Sequence, residues 1–183
     1  MNKTILYIYG YGSNEKDSST MKVVKNIVEE LGYNLVSIHY DQEYPYNGLD
    51  ELEEYIRDNN IQYVIGHSLG GFITLCIDEN VKKLVINPCL KPQFELPKIG
   101  NIPPHMLYDY ENLEEWLRSG NDTPWVSQSE DTMGLFGDKD ELFSYYDSFK
   151  KVHPRSYYIK SDHRPKIESF TKDIKTKIKE FFS

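Results

Sequence analysis

Gly66-His67-Ser68-Leu69-Gly70 is the stretch of sequence that decides the fold. It follows a short apolar run rich in β-branched residues (61–65), typical of a buried strand, and precedes a second apolar run (71–77) that favours a buried helix. A serine at such a strand-to-helix turn has a strained backbone and an exposed hydroxyl, and flanking glycines let the two elements approach closely. The pattern predicts Ser68 as a nucleophile, although five-residue matches of this kind also arise by chance.

Strand and helix patterns alternate along the chain, which predicts an α/β fold with a mainly parallel sheet of about six strands and helices on both faces. The predicted strands are 5–9, 33–39, 61–65, 83–87, 132–136 and 156–159. The predicted helices are 17–31, 50–59, 71–77, 108–119, 141–151 and 165–182. Pro165 is expected in the first turn of the last helix. Ligands of such sheets bind beyond the carboxyl ends of the strands.

One segment interrupts this alternation between the fourth and fifth predicted strands. Residues 88–130 contain six of the nine prolines and both tryptophans. Long insertions between core strands often cover an active site. We therefore expect a single domain, residues 1–183, with a cap-like insertion at about 88–130. The alternative is a surface excursion that merely covers the sheet.

A serine nucleophile needs a base, and the base needs a carboxylate to orient it. In this type of fold the chain order is serine, acid, histidine. His163 follows the sixth predicted strand and is the expected base, because the other histidines lie in less suitable places; a histidine in isolation is more often structural. Asp138 and Asp140 both follow the fifth strand. Asp140 is favoured because it lies further out in the loop, and Asp138 remains an alternative that also suits a turn.

Two backbone amides are expected to stabilise an oxyanion. One belongs to Leu69, at the start of the helix that follows Ser68. The second is expected in the loop after the first strand, residues 9–14, where the amide of Tyr11 is the predicted donor. The Gly-x-Gly of this loop also fits a fragment of a phosphate-binding loop, but the full nucleotide-binding glycine patterns are absent from the sequence.

Composition excludes several classes of protein. The net charge of −8 and the acidic pI of about 5.1 argue against nucleic acid as the main partner. No apolar run reaches the length of a membrane span, and residues 1–7 resemble a first strand rather than a signal peptide, so a cytoplasmic location is expected. Cys76 and Cys89 lack metal-like spacing and are expected to be buried thiols. We expect no metal and no organic cofactor.

These residues resemble the α/β-hydrolase superfamily and, more narrowly, its small bacterial YqiA/YcfP-type esterase branch. The resemblance extends over most of the chain and is carried by residues 7–13, 66–70, 86–88, 137–141 and 161–163. It implies a minimal α/β-hydrolase fold that lacks the opening antiparallel hairpin of the superfamily. The chain also has Tyr9-Gly10 where the family commonly has His-Gly.

The resemblance implies a nucleophile at Ser68, an acid at Asp140 and a base at His163, with oxyanion donors at Tyr11 and Leu69. The expected activity is hydrolysis of a small acyl ester or thioester through an acyl-enzyme. An amide or peptide hydrolase with the same triad is one alternative, and a non-catalytic binding module on a hydrolase scaffold is another. The substrate-binding residues and the oligomeric state stay open.

Overall fold

Six strands form the sheet in the computed structural model, which describes residues 3–118, 125 and 128–183. They are β1 (Thr4–Ile8), β2 (Asn34–Val36), β3 (Tyr63–His67), β4 (Lys82–Ile86), β5 (Thr132–Gly137) and β6 (Ser156–Ile159). Their order is β2-β1-β3-β4-β5-β6, and every neighbouring pair is parallel. The prediction of a mainly parallel sheet of about six strands is confirmed.

Seven α-helices lie within the same described residues. They are α1 (Ser19–Glu30), α2 (Pro45–Asp58), α3 (Leu69–Cys76), α4 (Pro92–Glu95), α5 (Pro104–Arg118), α6 (Tyr146–Lys150) and α7 (Lys172–Phe181). An ion pair of 2.6 Å between Glu30 and Lys175 joins α1 to α7, whereas α2, α3 and α5 pack against one another. Because parallel crossovers are right-handed, the reversal of strand order after β2 places these two groups of helices on opposite faces of the sheet.

The order of the strands reverses between β1 and β3, because β2 lies on the outer side of β1. Such a switch point leaves a crevice outside the carboxyl ends of the two strands. The loop that begins at Tyr9 leaves β1 at this point, and Ser68 directly follows β3. The topology therefore brings the predicted nucleophile and the predicted oxyanion loop to one crevice.

Two elements on the β2 side differ from their predicted bounds. β2 covers only residues 34–36 instead of 33–39, because the chain leaves the edge of the sheet where the Ser37 hydroxyl donates to the carbonyl of Tyr7 at 2.8 Å. Helix α2 begins at Pro45, before the predicted start at residue 50. Proline is well suited to a first helical turn because its missing N–H has no partner to lose there.

Two helices in the C-terminal third are shorter than predicted. Helix α6 was expected over 141–151, but the Asp140 carboxylate accepts from the amides of Leu142 and Phe143 at 2.9 and 3.1 Å and holds a turn there. The last helix begins at Lys172 after an N-cap by Thr171, not in the turn of Pro165. Side-chain to backbone hydrogen bonds thus define both boundaries.

The described part of the insertion packs against α3 near the carboxyl ends of the strands. Its helix α5 was predicted over 108–119 and spans Pro104–Arg118; Ser119, its predicted end, lies outside the described residues, as do 120–124 and 126–127 of the insertion. The Tyr110 ring meets Phe72 of α3 edge-on at 5.9 Å, and its hydroxyl donates to the carbonyl of Gln42 at 3.1 Å. Among the described residues no helix has the length and apolarity needed to cross a bilayer.

Candidate active site

Ser68 occupies the turn between β3 and α3 in a left-handed backbone conformation, with φ +57° and ψ −122°. A non-glycine residue in such a region carries about 1–3 kcal/mol of strain, which the surroundings must offset. Its amide donates to Ile86 at 3.0 Å, and its carbonyl accepts from Cys89 and Gly71, each at 3.0 Å. The predicted strain at this serine is therefore present, and β4 and α3 hold it in place.

The two glycines around the serine are required by close backbone approach. A Cβ on Gly66 would lie 2.3 Å from the carbonyl oxygen of Gly70, and a Cβ on Gly70 would lie 2.2 Å from that of Ile8. Both distances are far below van der Waals contact. The prediction that these glycines let strand and helix approach is confirmed, and the contact with Ile8 fixes the start of α3 against the end of β1.

His163 and Asp140 form a buried pair at the carboxyl ends of β5 and β6. Nδ1 of His163 lies 3.1 Å from both carboxylate oxygens of Asp140, and the side chains are only 6% and 4% exposed. A carboxylate accepts hydrogen bonds, so Nδ1 carries the proton and Nε2 is the available base. Asp138 instead accepts from the amide of Ser161 at 3.1 Å. The structure thus brings Asp140, not Asp138, to the imidazole.

The backbone of His163 is held as firmly as its ring. Its amide donates to the Glu141 carboxylate at 3.0 Å. Its carbonyl oxygen lies 2.9 Å from Nε2 of His67 and 3.0 Å from Nδ2 of Asn87. The ring meets Phe143 edge-on at 4.9 Å. The sequence pattern places His67 in the serine turn and Asn87 at the end of the fourth predicted strand, and neither position indicates a contact with this loop.

Ser68 and His163 line one cavity of about 270 Å³ at the switch point. No hydrogen bond joins their side chains within the described part of the chain. Catalytic hydrogen bonds in unliganded enzymes are often long and shorten when substrate binds. The structure therefore places Ser68 and His163 at one cavity and joins His163 to Asp140, whereas the contact between Ser68 and His163 is open.

The two predicted oxyanion donors flank the serine. Leu69 is the first residue of α3, and neither its amide nor that of Tyr11 donates to another described residue. The loop before Tyr11 touches the serine, since a Cβ on Gly10 would lie 3.0 Å from Cβ of Ser68. Gln42 holds this loop, with Nε2 donating to Gly10 at 3.1 Å and Oε1 accepting from Gly12 at 3.3 Å.

The remaining walls of the cavity are mostly polar. The lining includes the start of α1 and its preceding turn, residues 17–20, together with Ser13 and Arg164. Apart from Tyr11, its large apolar members are Ile99 of the insertion and Leu142, both at least 40% exposed. A wall of this kind suits a short or polar group better than a long alkyl chain.

Burial changes the chemistry of the groups around the site. Burial, assisted by the neighbouring His163, lowers the pKa of His67 to about 3. His67 is therefore neutral at physiological pH and donates through Nε2 to the carbonyl that it contacts. Burial raises the pKa of the Cys76 and Cys89 thiols, and both cysteines are free and buried, as predicted. Among the described residues no cluster of three metal-ligating side chains occurs.

Solved structures with the same fold include several esterases. Est1E from Butyrivibrio proteoclasticus superimposes with a TM-score of 0.77 at 14% identity, covering 98% of this chain and 88% of its own. The Pyrococcus furiosus esterase Pf2001 gives 0.60 at 17% identity, with coverages of 98% and 80%. A thioesterase domain from the curacin biosynthetic pathway gives 0.57 at 11% identity, with coverages of 99% and 91%. At these identities the likeness shows the fold, and it confirms the predicted minimal α/β-hydrolase architecture.

Family membership rests on a separate comparison of sequences. No curated protein matches the chain significantly. The model of a family described as "Uncharacterised protein family (UPF0227)" matches residues 4–183. The chain therefore belongs to the UPF0227 family, which confirms the predicted α/β-hydrolase superfamily and its YqiA/YcfP-type branch.

Proposed function

We propose that the protein is a serine hydrolase that cleaves a small carboxylic ester or thioester through an acyl-enzyme. The observation that carries the proposal is the buried Asp140–His163 pair, 3.1 Å apart, whose imidazole lines the same cavity as the strained, half-buried Ser68. A structural histidine–carboxylate pair has no need of a nucleophile beside it. The amides of Tyr11 and Leu69, which donate to no other described residue, add the remaining element of acyl transfer.

The reaction follows from the roles of these groups. Nε2 of His163 takes the hydroxyl proton as Oγ of Ser68 attacks the carbonyl carbon, and the two amides stabilise the oxyanion. His163 then gives that proton to the leaving alcohol or thiol as the carbon–oxygen or carbon–sulfur bond breaks. Water, activated by the same imidazole, hydrolyses the acyl-enzyme and restores the serine. Asp140 keeps the proton on Nδ1 and stabilises the imidazolium that forms.

Several observations favour an ester or thioester over the alternatives. Of the structural neighbours, Pf2001 is named as an esterase and another is named as a thioesterase domain. An amide hydrolase would use the same groups, so a panel of substrates must separate the two. A binding module on this scaffold would not need an acid–base pair with both partners buried. We expect a short acyl group, because the cavity is small and mostly polar.

The insertion fits the role of a cap. Ile99, within residues 88–130, contributes directly to the wall of the cavity that holds Ser68. A single domain of residues 1–183 with this cap is therefore part of the proposal. A small-molecule acyl substrate, no resident cofactor and a cytoplasmic location complete it as predictions from the sequence.

The decisive experiment compares the wild type with Ser68→Ala and, as a matched control, with Ser148→Ala on the exposed surface of α6. Each protein is treated with a fluorophosphonate probe and assayed on p-nitrophenyl esters of two to ten acyl carbons. Wild type and Ser148→Ala should be labelled and should prefer the short esters, whereas Ser68→Ala should lose labelling and at least about 10³-fold in kcat. Labelling that persists in Ser68→Ala would refute the assignment of the nucleophile.

A further inference from the structure

Asn87 connects the carboxyl ends of three neighbouring strands. It directly follows β4, is 1% exposed, and its backbone amide donates to Leu135 of β5 at 2.9 Å. Its side-chain oxygen accepts from the amide of Gly137, the last residue of β5, at 2.6 Å. Its side-chain nitrogen donates to the carbonyls of Asp162 and His163, at 3.3 and 3.0 Å, in the loop after β6. One amide group thus joins the loop of the acid to the loop of the base.

Few side chains other than asparagine could make the contacts observed at position 87. Both ends of the side chain are used, one as an acceptor and the other as a donor, and only a carboxamide of this length offers both groups there. The backbone of Asn87 is also left-handed, with φ +45°, a conformation in which asparagine is among the few tolerated non-glycine residues. A residue needed only for packing would require neither the two bonds nor this conformation.

The carbonyl of His163 receives a second donor from His67, at 2.9 Å. Two buried side chains from β3 and the end of β4 therefore meet at one oxygen atom, while Glu141 holds the amide on the other side of the same residue at 3.0 Å. These contacts fix the backbone from which the imidazole extends, so the placement of the ring depends on them. Errors of about 1 Å in the placement of a catalytic group cost up to about 10²-fold in rate.

We propose that Asn87 is a positioning residue that sets the place of the His163–Asp140 pair relative to Ser68. The proposal rests on the proposed hydrolase function for its catalytic consequence, and Asn87 itself need not touch the substrate. It predicts that removal of the carboxamide lowers kcat while substrate binding is preserved, because the walls of the cavity stay in place.

The test compares Asn87→Gly with Asn60→Gly. Asn60 has nearly the same backbone conformation, φ +50°, but is exposed after the end of α2, before the amino end of β3 and therefore at the other edge of the sheet. Glycine accepts positive φ in both variants, so backbone strain is relieved in both, and the difference between them reports the loss of the buried Asn87 side chain. Asn87→Asp is a second variant, because it keeps the acceptor for Gly137 and removes the donor to His163.

Two readouts are measured on each folded protein. The first is kcat and KM on the best short ester. The second is the low-field proton resonance of Nδ1–H of His163, assigned by its loss in His163→Gln, which reports the bond to Asp140 without any turnover. We expect both Asn87 variants to lose about 10- to 100-fold in kcat with KM changed less than about threefold, and their resonance to broaden or exchange at least tenfold faster. Asn60→Gly should match the wild type.

The outcomes separate the two proposals. A normal resonance and a normal kcat per folded molecule in both Asn87 variants would overturn the positioning role, even if their thermal stability falls. If the wild type neither turns over esters nor reacts with the fluorophosphonate, the proposed function fails. In that case the resonance alone decides whether Asn87 positions the imidazole.

Discussion

Two buried histidines, His153 and His163, lie at opposite ends of strand β6, and only His163 has polar partners of the kind expected at a functional site. His153 precedes β6 and His163 follows it; they are 1% and 5% exposed, and both contact aromatic rings. At His163 a carboxylate lies 3.1 Å from Nδ1. At His153 neither ring nitrogen has a hydrogen-bond partner of acceptable geometry among the described residues. Burial and aromatic contact are therefore poor signs of function, whereas polar partners are good ones.

The difference follows from the direction of the strands. All six strands run the same way, so every loop that leaves a carboxyl end reaches the same edge and can supply a partner there. Around His153, by contrast, the ring of Trp125 lies edge-on at 4.5 Å and that of Phe149 at 4.4 Å. Burial in this apolar setting lowers the pKa of His153 to about 4, with the backbone of Ser129 only partly offsetting it.

The largest expected effect distinguishes Asp140 from Asp138, the two aspartates in the loop after β5. Asp140→Asn should lower kcat by about 10³- to 10⁴-fold, because an amide can present its NH₂ to Nδ1 and favour the tautomer that cannot accept the serine proton. Asp138→Asn keeps an acceptor for Ser161 and should stay within about threefold of the wild type. Steady-state kinetics with thermal melts of both variants make the comparison. A greater loss in Asp138→Asn would mean that the acid has been assigned to the wrong residue.

The fold was largely predictable because its strands are nearly continuous buried runs. Strands β1 and β3 are apolar along almost their whole length, and the serine turn between β3 and α3 follows from the glycines that flank it. Errors arose where polar side chains bind the backbone. The turn made by Asp140 shortens α6. The N-cap at Thr171 makes α7 begin at Lys172, seven residues after the predicted start at residue 165. Such local competition leaves no trace in hydrophobic periodicity.

The positions of the candidate site residues were predictable to the extent that strand order alone determines them. The alternation of strands predicts that loops after β5 and β6 meet near Ser68, so Asp140 and His163 could be named. His67 and Asn87 contact His163 across sequence separations of 96 and 76 positions, respectively. The geometry of these contacts depends on the final packing of three strand ends. A polar residue directly after a buried strand, as at Asn87, is the one sequence signal that could have indicated them.

The second effect, on stability, concerns His153. The pKa of His153 is 6.5 in the unfolded chain and about 4 in the folded protein. Between these two pH values the unfolded state binds a proton at His153 and the folded state does not. Stability is complete above pH 6.5 and falls as the pH decreases toward 4, by about 3 kcal/mol at about 1.4 kcal/mol per pKa unit. His153→Phe removes this loss.

Urea unfolding between pH 7.5 and 4.5 measures the effect. The free energy of unfolding of the wild type should decrease more steeply with acid than that of His153→Phe, by about 2–3 kcal/mol over this range. Both proteins also contain His67, whose effect cancels in the difference. The ester kinetics at pH 7.5 should be equal. Parallel pH profiles would show that His153 has a polar partner, which would remove the contrast between the two ends of β6.

The smallest effect compares two glutamines, one at each edge of the sheet. Gln42 holds the loop that carries the Tyr11 amide through Gly10 and Gly12, at the carboxyl edge. Gln128 accepts from the ammonium group of buried Lys83 at 2.5 Å, at the amino edge. Gln42→Glu keeps the acceptor for Gly12 but places a carboxylate oxygen against the carbonyl of Gly10, so the loop should shift and the oxyanion amide with it.

Loss of one oxyanion donor costs about 10²- to 10³-fold, and a displaced donor should cost less, about tenfold in kcat with KM nearly unchanged. Gln128→Glu makes the same chemical change beside a cation and should leave kcat unaltered. If the two variants behave alike, the loop after β1 is held by its own backbone rather than by Gln42. A kcat loss confined to Gln42→Glu would show that polar contacts at the carboxyl edge support catalysis, whereas equivalent contacts at the other edge support only the fold.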